Sequence, residues 1–137
     1  MNAAAERERG SVALEFTLVA PALLLLIALL LAYARVGQVG ATLDAGVRDA
    51  ARSATSARSA DDAQRVALQV LQVAVGPGDC ADSLVVEPIP EFRAGRPVTV
   101  TASCSYSIAD LGLPGAPGSL DVRSAFSSPL DPNRELR

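Results

Sequence analysis

One carboxylate, Glu15, interrupts an otherwise uncharged run of 24 residues from Ser11 to Ala34. A run of about 20 apolar residues crosses a bilayer. A carboxylate in such a run costs roughly 2.5–3.5 kcal/mol at the helix centre and less near an end, so it is expected to have a partner and a role. Glu15 stands five residues after Gly10, which closes a short charged leader, MNAAAERERG. Cleavage after Gly10 would expose the amine of Ser11. The Glu15 carboxylate can then pair with that amine on an adjacent subunit. In low dielectric an ion pair offsets its desolvation only when both partners are in place, which gives an assembly its register.

The other reactive residues point away from catalysis. Without a single His there is no Ser-His-Asp or Cys-His nucleophile and no His-ligated metal. Neither standard Gly-rich phosphate loop is present. Asp61-Asp62 and Asp79-Asp82 are the close carboxylate groups, and they read as a helix start and a solvated loop. The chain therefore reads as a non-enzyme with no catalytic residue, no cofactor and no metal. A net charge of −3 offers no basic footprint for nucleic acid. Cys80 and Cys104 form one disulfide if this part is exported, worth about 3–4 kcal/mol in the chain-entropy model. In a reduced compartment they are two small thiols.

These residues need elements to hold them. The Leu-rich half of the run, Ala22 to Ala34, is helix-prone. Pro21 has no N–H to give to the preceding turn, which invites a kink. Beyond the run, Val36, Gly40, Leu43, Val47, Ala50, Ala54 and Ala57 recur at alternating four- and three-residue steps, an apolar seam of period 3.5. A helix can therefore continue outside the membrane and pack closely on a neighbour, although Gly37, Gly40 and Gly46 mark places where it can break. Ser59 followed by Asp62 resembles a capping box, opening a second helix to about Val75 with a stripe of Ala63, Val66, Ala67, Val70, Leu71 and Ala74. Gly76-Pro77-Gly78 stops it.

The remainder reads as strand. Leu84 to Ile89 is short and limited by Pro88 and Pro90. Pro97 to Ile108 alternates cleanly, with Val98, Val100, Ala102, Cys104, Tyr106 and Ile108 on one face and Ser and Thr on the other. Leu111 to Gly118 reads as a loop and Leu120 to Phe126 as a last strand. The expected fold class is α+β: a long N-terminal transmembrane helix extending outside the membrane, a second amphipathic helix and a small antiparallel sheet. The expected organisation is a leader at 1–10, a transmembrane helix at 11–34, its outer extension at 35–58, a head at 59–126 and a polar tail at 127–137.

Three readings compete for the first 34 residues: a plain signal anchor, a secretory signal cut at Ala32-Tyr33-Ala34, and a prepilin-type leader cut after Gly10. Glu15 favours the third. The n-region holds as many Glu as Arg, unlike a secretory signal, and a plain anchor has no use for a carboxylate there. At Gly10-Ser-Val-Ala-Leu-Glu15-Phe16 the chain resembles the processing site of type IV pilin-like proteins, and Phe16 after Glu15 is similar to the Glu-aromatic pair of Flp-type prepilins. Over about residues 9–55, with Pro21 and the Ala50-Ala51-Arg52 stretch, it resembles TadE-like minor pilins, or pseudopilins, of the tight adherence pilus system.

That resemblance implies cleavage after Gly10 by a membrane prepilin peptidase. It implies a minor pilin in assembly of an Flp-like pilus, and as partners other pilins or pseudopilins, the pilus assembly platform and membrane lipid. It places the N-terminus in the cytoplasm and the head outside, with the protein possible in the pilus itself. Ser11 departs from the Phe or Met that begins mature major type IV pilins, and Flp major pilins are much shorter than 137 residues. The alternative is a membrane-anchored or secreted binding module whose helix is only a tether.

Overall fold

The computed structural model describes residues 3–109, 115 and 117–133, with side chains from Leu14 onward. The expected loop at 111–118 and the end of the polar tail lie mostly outside the described residues. Helix α1 runs unbroken over Ala3–Ala54, a length of about 78 Å at 1.5 Å per residue. It starts within the charged N-terminal stretch, whose Ala, Glu and Arg are strong helix formers, and it continues through Pro21. The three glycines do not break it. At Gly46 a Cβ would lie 3.0 Å from the Ala74 Cβ and 3.3 Å from Leu71 Cδ2, so the missing side chain lets a second helix cross closely. The roughly 1 kcal/mol helix penalty of this glycine is set against that packing.

The end of α1 is tied by its own turn rather than by glycine. Thr55 Oγ1 donates to the Arg52 carbonyl at 2.6 Å and Ser56 Oγ to the Ser53 carbonyl at 2.6 Å. These bonds occupy carbonyls that a helix C-terminus leaves open. Helix α2 spans Ala60–Val75. The Ser59 hydroxyl caps it by accepting the Asp62 N–H at 3.2 Å, and Asp62 pairs with Arg65 one turn on. At the far end Gly76, with φ +68°, donates its N–H to the Gln72 carbonyl. Ala63, Ala67 and Leu71 are buried, while Ala74 is exposed but touches the Gly46 crossing.

A one-turn helix α3, Asp79–Asp82, stands where a solvated loop is expected. Three strands follow: β1 Val85–Val86, β2 Pro97–Ser107 and β3 Ser119–Pro129, in order β1-β2-β3 and antiparallel throughout. β3 therefore reaches past Phe126, and Leu130 beyond it is buried in the core. Val98, Val100, Ala102 and Cys104 of β2 face inward and are buried, with Tyr106 half-buried, as the alternation predicts.

The outer half of α1 lies across this sheet and against α2. Leu43, Val47, Ala50, Ala54 and Ala57 of the seam enter the core with Leu71, Val98 and Val100. The partner of that part of the seam is thus the chain's own head, because the seam is long enough to serve α2 and the sheet together. Val36 and Gly40 lie N-terminal to the head and stay half-buried. On the sheet side Arg48 sits over the Phe126 ring, 5.5 Å from its centroid, a contact worth about 0.5–1 kcal/mol at an exposed site.

This core is small, with Leu43 and Leu71 its largest fully buried side chains. A disulfide joins Cys80 in α3 to Cys104 in β2, closing 24 residues. It staples the α3 turn onto the strand, the kind of cross-link a small core benefits from.

Candidate functional site

The residues singled out for assembly sit at the uncovered end of α1. The backbone is helical through Gly10 and Ser11, whose side chains lie outside the described residues. From Leu14 to Leu31 the helix surface is bare: Leu14, Phe16, Leu18, Leu25 and their neighbours are more than half exposed. No part of the described head reaches them. α1 is long and apolar enough to cross a membrane, and its charge-free part ends at Arg35.

An insertion scale shows which effect wins. Twelve large apolar residues are exposed between Leu14 and Leu31. At about −0.3 to −0.6 kcal/mol each they contribute roughly −4 to −7 kcal/mol, more than the cost of one carboxylate near the end of the span. The segment can therefore enter lipid while carrying Glu15. The Glu15 carboxylate makes no ion pair with any described residue, and Phe16 beside it is 72% exposed. Both project from the helix into whatever surrounds it. Pro21 lies one to two turns further along the same bare helix.

Between the bare span and the core lies a short stem. Cβ atoms built on Gly37 and Gly40 meet nothing within 4 Å. Thr42 Oγ1 donates to the Gln38 carbonyl at 2.9 Å, so the stem is an ordinary helix turn with polar decoration. The head therefore stands on the span without an intervening loop.

The acidic groups elsewhere have structural duties. Asp62 sits in the first turn of α2, and Asp79 accepts the Ser107 N–H at 3.1 Å through Oδ2. Asp79 and Asp82 border an open depression of about 260 Å³ with Tyr106 and Ser105. Burial, and then the Asp79 carboxylate, push the Tyr106 phenol above its usual value. Among the described residues no group of three His, Cys, Asp or Glu side chains is placed to hold a metal.

Two polar side chains that sequence reasoning did not single out, Gln64 and Ser83, close one edge of the sheet together with Asp79, which the sequence places only in a solvated loop. Gln64 of α2 donates to the Glu87 carbonyl at 3.2 Å and accepts the Ile89 N–H at 3.1 Å. The Ser83 hydroxyl accepts the Ser105 N–H at 2.8 Å, and Asp79 takes Ser107. A lone Gln in an amphipathic helix and a Ser after a one-turn helix carry no periodic signal that marks such a duty.

Residues 10–52 match the family model for TadE-like protein. That match takes in less than a third of the chain, and over it the chain is similar to TadE-like proteins. The TadE-like region takes in Glu15, Phe16, Pro21 and the bare span, and continues through the seam to Arg52. Its end falls within the last turn of α1, which closes at Ala54. The unit matched is therefore the helix, its bare apolar part and its core part together, without α2 or the sheet. No curated protein and no solved structure matches the chain.

Proposed function

We propose that this chain is a minor pilin or pseudopilin that helps to assemble a tight adherence, Flp-type, pilus. The observation that carries this reading is one continuous helix with two fates. Its TadE-like segment is bare over the apolar span and buried against the head over the seam. A helix of this kind presents its apolar half to lipid and to other helices while holding a folded head outside.

In this reading a prepilin peptidase cuts after Gly10 on the cytoplasmic side. The new amine of Ser11 and the carboxylate of Glu15, on neighbouring subunits, pair in low dielectric and set the axial register. Phe16 and the Leu-rich face supply packing. The protein performs no catalysis. Its partners are the peptidase, other pilins or pseudopilins, the assembly platform and lipid.

N-terminal sequencing of the membrane-bound protein tests it. A start at Ser11 when the peptidase is present is the expected result. An intact Met1, or a start at Arg35, overturns it. Replacing Ser11 to Ala34 by an unrelated anchor separates this reading from a tethered binding module: assembly is lost if the span packs with other helices and kept if it is only a tether.

A further inference from the structure

The two edges of the sheet are treated oppositely. On the β1 side, Glu87 N–H reaches the Thr101 carbonyl at 2.9 Å, and the N–H groups of Ser105 and Ser107 go to Ser83 and Asp79. The odd-numbered residues of β2 thus direct their backbone groups to that side. The even-numbered ones, Val98 to Tyr106, direct theirs to β3, and Ile108 continues the pattern by donating to the Gly118 carbonyl. Since Val98 faces Ser128 and Cys104 faces Val122, the even residues of β3 point back at β2. Ser119, Asp121, Arg123, Ala125 and Ser127 therefore turn their N–H and C=O groups outward. All five are exposed, and among the described residues none makes a backbone hydrogen bond outward.

This edge lacks the usual protections against pairing. β3 pairs with β2 over eleven consecutive residues without a bulge, and its one proline is the terminal Pro129. Its two charges lean away from the opening. Arg123 reaches across the sheet to Glu87 at 2.7 Å, and Asp121 accepts the Ser105 hydroxyl at 2.6 Å.

We infer that the outer edge of β3 is a docking site for an extended, antiparallel segment of a different polypeptide, with an acidic residue opposite Arg123 and a basic one opposite Asp121. Addition of a strand supplies the five outward residues with backbone partners. Opposite charges directly across a strand pair are favourable and like charges are not. Arg123 has donors left after binding Glu87, and Asp121 has a second oxygen.

A second anchored copy does not fit the site. Antiparallel pairing of β3 with itself has its two-fold axis normal to the sheet. That axis reverses any helix lying across the sheet face, so the two α1 anchors would point in opposite directions. An unanchored segment has no such restriction.

A peptide of residues 118–128 provides the probe. Centred on Val122 in antiparallel register, it sets its Asp121 against Arg123 of the protein and its Arg123 against Asp121. Fluorescence anisotropy of the labelled peptide is followed with the full chain in nanodiscs. Saturable binding is expected. A peptide with the two charges exchanged binds about tenfold more weakly, and binding recovers on the Asp121→Arg/Arg123→Asp protein. Ala125→Pro removes one outward N–H without touching the β2 ladder, and so abolishes binding while circular dichroism stays unchanged. Absence of saturable binding, equal affinity for the two peptides, or indifference to Ala125→Pro overturns the inference. None of these outcomes depends on whether Ser11 is the mature N-terminus.

Discussion

The crossing of α1 and α2 at Gly46 provides a quantitative test of how the head is held to the helix. Gly46→Ala has two opposed effects. In a helix interior Ala is favoured over Gly by about 1 kcal/mol. The new methyl lies 3.0 Å from the Ala74 Cβ and 3.3 Å from Leu71 Cδ2, and overpacking of this kind costs about 1–3 kcal/mol. The Ala74 methyl is fixed to the α2 backbone, so relief requires the helices to part. The net expectation is a destabilisation of about 0–2 kcal/mol. Ala74→Gly alone costs about 1 kcal/mol in helix propensity. In the double variant the methyl has changed sides and the contact with the Ala74 methyl is gone, leaving the one with Leu71 Cδ2, the end of a flexible side chain that can give, so the two propensity effects cancel to about zero. The pair is therefore non-additive by about 1–3 kcal/mol. Hydrogen exchange of the α2 amides, residues 60–75, in the full chain in micelles reads this directly, because 1.4 kcal/mol is a tenfold change in protection. If Gly46→Ala slows exchange about tenfold by itself, or if the two changes add, the close crossing does not limit packing and the argument fails.

Glu15→Ala is expected to leave export intact and to reduce assembled pili at least about tenfold, since a neutral side chain cannot hold the amine; normal pilus counts by electron microscopy refute the pairing. Cys80→Ala/Cys104→Ala should cost about 2–5 kcal/mol and raise exchange first at residues 79–84 and 103–107, with unchanged exchange there counting against the staple. Gln64→Ala leaves carbonyls and an N–H of the 86–89 segment without their partner and should cost about 1–3 kcal/mol, seen as lost protection at Ile89. Because the folded Tyr106 phenol lies above its unfolded value near 10, its contribution is complete below that pH and is lost as pH rises through the folded value. Alkaline unfolding above pH 10 should accordingly be less steep in Tyr106→Phe.

Much of this architecture is legible in residue periodicity. The two-residue alternation from Val98 to Tyr106 identifies a strand with one buried face, because a strand puts successive side chains on opposite sides. Ser59 and the Ala63, Ala67, Leu71 repeat identify α2 in the same way. Period 3.5 in the seam announces that another surface packs there, but a repeat says nothing about whose surface it is. Leu43 to Ala57 turn out to meet α2 and the sheet of the same chain. The single turn at Asp79–Asp82 is too short to show a period. The end of β3 hides for a different reason: Ser127, Ser128 and Pro129 look like tail, yet Ser128 pairs opposite Val98 and Leu130 fills the core. At the candidate site, spacing isolates Glu15 from every other charge, and the described chain leaves it so. A lone carboxylate in an apolar run signals that a partner is needed, but its spacing does not say which molecule carries that partner.

The continuity of α1 ties these features into one mechanical object. Arg35 to Thr42, about 12 Å of helix, is all that separates the charge-free span from Leu43 in the core. A flexible linker of that length would let the head tumble independently of the span. A helix does not, because every turn carries its own hydrogen bonds and Gly37 and Gly40 leave it unbroken. Displacement or rotation of the span is therefore passed to the sheet through Leu43, Val47, Ala50 and Ala54, which are buried in the same core as Val98 and Val100 of β2. The open edge of β3 belongs to the same rigid unit, since Val122 and Phe126 pack against that core and Arg48 of α1 covers the Phe126 ring. In the proposed function, a register set at Glu15 among neighbouring helices thus also sets where the β3 edge is presented.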